Sequence, residues 1–212
     1  MSNTRGLFLT FEGTEGAGKS SNLQYVKAKL EAAGRQVVVT REPGGTEVGE
    51  QIREVLLSPD LPAMHQDTEL LLMFAARAEH YQHKILPALE AGQWVLCDRF
   101  TDASYAYQGG GRCIEQRRIA ALESWVLGDF KVDQTYLFDL PVEIGLARAK
   151  ARGAADRIEQ EAVVFFERIR QCYLSRARVE PERFTVLDAA QSMAQVQAQI
   201  DTAITALFER QQ

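Results

Sequence analysis

Residues 13–20, Gly13-Thr14-Glu15-Gly16-Ala17-Gly18-Lys19-Ser20, fit the pattern G-x-x-x-x-G-K-[S/T], and they lie between an apolar run, Leu7 to Phe11, and a set with helical spacing, Leu23, Val26 and Leu30. This is the strongest constraint in the chain, because the loop works only with a strand before it and a helix after it. Its glycines let backbone N–H groups close around phosphate oxygens, and the helix N-terminus adds a favourable dipole. In such a loop Lys19 presents a point charge to the β- and γ-phosphates, and the Ser20 hydroxyl can ligate Mg²⁺. The eight residues are therefore expected to cradle the phosphates of a nucleoside triphosphate.

The rest of the chain repeats the strand–helix alternation. Val37-Val38-Val39-Thr40, Trp94 to Cys97, Thr135 to Phe138 and Phe184 to Leu187 read as further buried strands. Thr46 is placed to cap a helix ending near Ser58, ahead of Pro59. A long helical stretch opens at Asp67 or Thr68 and closes at Gly92, another runs from Arg118 to Leu127, and Ser192 caps a last one carrying Val196, Ile200, Ile204 and Leu207. Two more helical stretches are split by Gly153 and joined by an Arg-rich segment. Strands alternating with helices predict βαβ units, a parallel sheet and helices on both faces. No repeat or linker interrupts the 212 residues, so one α/β domain with a five-stranded parallel sheet is expected. Ligands of such sheets bind at the carboxyl ends of the strands. That directs attention to the residues after Phe11, Thr40 and Cys97.

Composition excludes several classes of function. The net charge of −5 argues against non-specific nucleic-acid binding, which needs a basic field. No apolar stretch approaches the roughly 20 residues of a bilayer span, and Glu12 cuts short the first apolar run before it makes a signal peptide. The three cysteines, Cys97, Cys113 and Cys172, form no C-x-x-C and have no nearby His pair. They read as ordinary thiols of a reducing compartment, and the expected location is cytoplasmic.

A phosphate loop alone does not separate a kinase from a GTPase, a motor or a nucleotide sensor. The chain has no N-K-x-D guanine reader, and its third strand ends in Asp98-Arg99 rather than in an acidic pair. An acid there can hold Mg²⁺ through water, and Arg99 can hold a second phosphate group.

Six motifs in order carry a resemblance across essentially the whole length. They are Phe11-Glu12-Gly13 with the loop, Thr40-Arg41-Glu42-Pro43-Gly44-Gly45-Thr46, Phe74-Ala75-Ala76-Arg77, Asp98-Arg99, Tyr107-Gln108-Gly109-Gly110-Gly111-Arg112, and Asp156-Arg157-Ile158-Glu159-Gln160-Glu161. Together they resemble the bacterial thymidylate kinases. The resemblance implies the nucleoside monophosphate kinase fold with a mobile lid near residues 142–160, ATP- and Mg²⁺-dependent phosphorylation of dTMP to dTDP, and a homodimer. By position it implies a catalytic set of Lys19, Glu15, Asp98 and Arg99 with the lid arginines Arg148, Arg152 and Arg157, which replace a cation missing from the loop. Glu15 would stand near the sugar 3′-hydroxyl, and Ser20 and Asp98 would hold the metal. Arg53 and Arg99, assisted by Arg41, would bind the acceptor phosphate. Arg77 would read a carbonyl edge of thymine, Ser104 and Gln108 would flank the base, and Tyr107 would crowd the sugar at C2′. The family usually has a stacking Phe four residues before the reading arginine; here that position is Met73, and Phe74 is expected to stack with Met73 beside it. The rival readings are a kinase for another monophosphate or a nucleoside, and a nucleotide sensor without turnover.

Overall fold

The computed structural model describes residues 5–151 and 156–210. Strand β1 (Phe8–Glu12) leads through the loop into helix α1 (Lys19–Ala32), and β2 (Val37–Arg41) leads into α2 (Glu47–Leu57). Helix α3 (Gln66–His80) continues through a π-helical turn, Tyr81–Ile85, into α4 (Leu86–Glu90). Strand β3 (Trp94–Asp98) is followed by α5 (Thr101–Ser104), a second π-helical turn, Tyr105–Gly111, and α6 (Gln116–Leu127). Then come β4 (Gln134–Asp139), α7 (Val142–Lys150), α8 (Val163–Val179), β5 (Phe184–Asp188) and α9 (Met193–Glu209).

The five strands form one parallel sheet in the order β2-β3-β1-β4-β5. Successive side chains alternate between its faces. Leu9, Phe11, Leu96, Tyr136 and Phe138 meet Leu23, Val26 and Leu30 of α1 and Val196, Ile200 and Ile204 of α9 on one face. Phe8, Val95 and Cys97 meet Ile85, Leu89 and Leu127 on the other, where Leu137 joins Phe165, Phe166 and Ile169 of α8. The central strands β1, β3 and β4 are buried along nearly their whole length and are built on apolar runs, as covered parallel strands are, while β2 and β5 at the edges are more exposed. Register pairs Asp98 with both Arg41 and Phe11, so the ends of β1, β2 and β3 lie level beneath the phosphate loop.

The expected caps form. The Thr46 side chain accepts from Gly49 N–H at 3.1 Å, and Ser192 makes a capping box with Gln195. Helix α3 begins earlier than the pattern predicts, with the His65 ring rather than Asp67 or Thr68 as its cap, accepting from Asp67 N–H at 3.2 Å. The helical passage 101–111 is absent from the sequence expectation. Its three glycines argue for a loop, but α8 packs against that turn, and tertiary contact overrides the weak local propensity. Among the described residues no helix is long and apolar enough to cross a membrane.

Candidate active site

The phosphate loop bends where only glycine fits. Gly16 has φ 69°, and a Cβ there would stand 2.0 Å from the Gly145 carbonyl oxygen. Gly13 has φ 140°, and its Cβ would meet the Phe138 carbonyl at 2.5 Å. The loop is thus pressed against β4 and α7. Lys19, nearly buried, donates from Nζ to the carbonyls of Gly13 at 3.1 Å and Thr14 at 2.9 Å, which folds its charge back over the loop. Burial, then the neighbouring Arg99 charge, lower its pKa.

Ser20 opens α1 and donates from its hydroxyl to Asp98 Oδ2 at 3.3 Å. The other carboxylate oxygen, Asp98 Oδ1, is buried and has no partner among the described residues. An orphaned carboxylate oxygen beside a hydroxyl is a fitting pair of hard donors for a divalent cation. No cluster of three His, Cys, Asp or Glu that could hold a metal occurs among the described residues. A cation held by this pair would need further ligands from water or phosphate, the mixture of ligands that Mg²⁺ usually keeps.

Beyond the loop lies an open cleft lined by residues that include Glu15, Arg53, Arg77, Arg99, Tyr107 and Gln108. Arg77, from α3, reaches into it nearly fully buried. Its Nε donates to Glu42 Oε2 at 2.8 Å, Nη1 to Ser104 Oγ at 3.1 Å and Nη2 to the Phe100 carbonyl at 3.0 Å. Glu42 is shared with the buried His80 ring at 3.0 Å, and that ring contacts Thr40 Oγ1 at 2.6 Å. The guanidinium is therefore fixed from three sides, and each of its two terminal nitrogens keeps a further N–H. Gln108 donates its amide to Glu69 Oε1 at 2.9 Å. Glu69 also takes Arg112 and Arg157, and although burial raises its pKa, these donors hold it below the ordinary value.

Glu15 accepts from Arg99 Nη2 at 2.5 Å and from the Tyr107 hydroxyl at 2.9 Å. Arg99 Nη1 donates to the Gly13 carbonyl at 2.9 Å, and the guanidinium carbon lies 4.7 Å from the centre of the Tyr107 ring. Burial opposes the charge on Arg99, yet Glu15 above all holds its pKa well above the usual range. Burial, reinforced by Glu15, keeps the Tyr107 phenol protonated. Arg53 donates to the Pro43 carbonyl at 2.9 Å, and burial followed by Arg41 lowers its pKa. Glu15, Glu42, Arg53 and Arg99 line the cleft and also the groove along the phosphate loop. The two spaces are neighbours that share these four side chains as walls.

The structure brings together most of the residues singled out by sequence, with three differences. Phe74 does not line the cleft; it is buried with Leu70, Tyr105, Ile114 and Ile119, and Met73 stands on the cleft wall instead. One residue along a helix turns the side chain by about 100°, and Met73 rather than Phe74 is the i,i+4 neighbour of Arg77. The aromatic residues that line the cleft are Phe100 and Tyr107; sequence reasoning gave no site role to Phe100, nor to Glu42, Leu57 or Ile158, which also line it. The lid arginines are the second difference. Arg148 donates to the carbonyls of Ala189 at 2.9 Å and Ala190 at 3.5 Å, and Arg157 to the Leu56 carbonyl at 2.8 Å and Glu69 at 2.6 Å, so neither reaches the phosphate loop. Arg152 lies outside the described residues. Third, Arg41 is drawn to Glu50 at 2.7 Å, on the rim of the loop groove rather than in the cleft.

The sequence model of one family, described as thymidylate kinase, matches residues 11–200. Two curated relatives, both named thymidylate kinase, come from Pseudomonas syringae pv. syringae (strain B728a) and Pseudomonas entomophila (strain L48). The first is 60% identical over 206 residues, covering 97% of this chain and 98% of the relative. The second is 60% identical over 205 residues with the same coverage of 97% and 98%. The crystal structure of thymidylate kinase from Ehrlichia chaffeensis superposes with a TM-score of 0.77 at 28% identity, over 96% of this chain and 98% of that one.

Proposed function

The chain belongs to the thymidylate kinase family, and from that premise we propose that it transfers the γ-phosphoryl group of ATP to dTMP, giving ADP and dTDP. The observation that carries the reading is that Glu15, Glu42, Arg53 and Arg99 line both neighbouring spaces. An acceptor phosphate between Arg53 and Arg99 sits within reach of a donor phosphate held by the loop, and phosphoryl transfer depends mainly on such positioning and on cations over the phosphate oxygens.

In this reading the loop, Gly13 to Ser20, takes the ATP phosphates, and Lys19 leaves its two carbonyl partners for the phosphate oxygens. Ser20 and Asp98 hold Mg²⁺, which when bound neutralises charge on the phosphates. Glu15 orients Arg99 and Tyr107 and receives the sugar hydroxyl side of dTMP. Arg77 donates toward a thymine carbonyl, with Ser104, Gln108, Met73 and Phe100 shaping the rest of the pocket. The acceptor phosphate is ionised at neutral pH, so no strong base is required. A lid spanning about residues 142–160 of a single domain carries Arg148, Arg152 and Arg157, and to supply the cation missing from loop positions 14–17 it has to move, with Arg148 leaving Ala189 and Arg157 leaving Leu56 and Glu69.

The working form is a cytoplasmic homodimer. Val48 and Val55 on α2, Leu71 on α3 and Trp125 on α6, which is 83% exposed, give adjoining helices an apolar surface suited to a second copy. The test of function is a coupled ADP-release assay with Mg·ATP. Addition of dTMP is expected to raise ADP release strongly over the rate without acceptor; an unchanged rate would instead favour a nucleotide sensor.

A further inference from the structure

Arg99 is one of two non-glycine residues among those described with positive φ, at 68°. Side chains other than glycine adopt this conformation at a cost, and they keep it only where the surroundings over-determine it. Arg99 N–H donates to the Phe11 carbonyl at 3.0 Å, and the Cys97 thiol donates to the Arg99 carbonyl at 3.0 Å. The next donor along the chain, Phe100 N–H, goes to no backbone acceptor. It goes to Glu12 Oε1 at 2.7 Å, while Glu12 Oε2 accepts the Tyr173 hydroxyl of α8 at 2.7 Å. Glu12 is fully buried at the end of β1 and touches neither the loop groove nor the cleft.

We infer that Glu12 is the positioning residue for Arg99: by taking the Phe100 N–H it locks the left-handed turn that aims the Arg99 guanidinium at Glu15 and Gly13. A glycine at this point would adopt the turn freely but would bring no guanidinium. With Arg99 present, the turn needs an acceptor fixed behind it, and a buried carboxyl anchored to α8 by Tyr173 is one. Burial, then nearby Asp102, push the Glu12 pKa to about 7. The neutral acid still offers a carbonyl oxygen to Phe100 N–H, so a glutamine in its place serves the same purpose. The inference rests on the proposed placement of the acceptor phosphate at Arg99.

The test is a double-mutant cycle in the full chain, with dTMP and Mg·ATP varied separately. Glu12→Ala is expected to raise the KM for dTMP by about tenfold, the scale of one charge-assisted hydrogen bond. The KM for ATP should stay within about twofold, because Lys19 and the loop keep their geometry. Glu12→Gln should stay within about threefold of the unmodified protein, since the acceptor is retained. In an Arg99→Ala background Glu12→Ala should add almost nothing, because its effect passes through the missing guanidinium. Glu12→Asp, one methylene short of Phe100 N–H, should repeat the loss and serves if the alanine variant does not fold. Losses that multiply in the double variant, or KM values for ATP and dTMP that rise together, would overturn the inference. So would a normal dTMP KM in both Glu12→Ala and Glu12→Asp. Arg99→Ala alone isolates the premise: if it leaves the dTMP KM unchanged, the acceptor phosphate is not at Arg99, whatever the Glu12 variants do.

Discussion

The phosphate loop and the acceptor cleft solve the same problem, holding phosphate or base in place, by opposite means. The loop is a continuous stretch whose working groups are backbone N–H donors, glycines and a single lysine. The cleft is assembled from residues far apart in sequence, each polar side chain fixed by a carboxylate: Arg77 by Glu42, Gln108 by Glu69, Arg99 by Glu15. Damage to the loop should therefore remove chemistry and spare the fold, whereas damage to the cleft should cost both.

Lys19→Ala offers the largest break. It removes the cation over the transferred group and is expected to lower kcat by about a hundredfold or more, with the thermal midpoint little changed. A folded variant with near-normal kcat would show that the loop does not hold the donor. Arg77→Ala sharpens the contrast, because it removes the guanidinium that pairs with Glu42 in a site where both side chains are at most 4% exposed and leaves that carboxylate only the His80 ring. Breaking such a pair costs about 3–5 kcal/mol, so the midpoint of denaturant unfolding should fall along with kcat/KM for dTMP. Equal stability with and without Arg77 would mean that the cleft is no more dependent on buried pairs than the loop.

The two regions also differ in how they could be read. The loop was legible because its requirements are local: spacing, glycine and the flanking periodicities. The strands were legible as short β-branched and aromatic runs, those at the centre of the sheet buried on both faces. The cleft was legible only in part. Arg77, Arg99, Tyr107, Gln108 and Glu15 stood out through motif order, and Glu12 and Glu42 are letters of the same motifs, but nothing in a linear chain shows what each acid is buried against, and Glu69 looks like any surface acid. Phe74 and Met73 show the limit at one helix. Both lie on the same side as Arg77 by spacing, and only packing against Tyr105 and Ile119 decides that the phenyl ring is core. The partners of Arg148 and Arg157 come from segments about 40 and 100 residues away, beyond any local pattern.

A smaller effect joins the two regions at Glu12. Its pKa rises from an ordinary 4.5 to about 7 in the folded chain, so the native state binds this proton more tightly than the unfolded one. Stability contributed by the protonated group is complete below about pH 4.5 and is lost as pH climbs through 7, a change on the order of 3 kcal/mol. Unfolding free energies measured from pH 5 to 8 should converge between the unmodified protein and Glu12→Gln at low pH and separate as pH rises, with the unmodified protein losing stability. Parallel curves would place the Glu12 proton elsewhere. The smallest effect is expected from Tyr107→Phe, which deletes the bond to Glu15 and keeps the ring. The loss should be about 1 kcal/mol, less than tenfold in kcat/KM, with the preference for deoxyribose intact.

The central claim, that the cleft accepts dTMP beside a loop that holds ATP, is tested most directly by kcat/KM for a series of monophosphates under one set of conditions. The account places dTMP first and dUMP behind it by roughly tenfold to two hundredfold, the worth of one methyl group in an apolar pocket. It places dCMP and the purine monophosphates near background, in the first case because the Arg77 donors would face the cytosine amino group, and it makes UMP poorer than dUMP because the Tyr107 ring is proposed to fill the space beside C2′. A dCMP, UMP or purine monophosphate value equal to that for dTMP would contradict it, even with the phosphate loop read correctly.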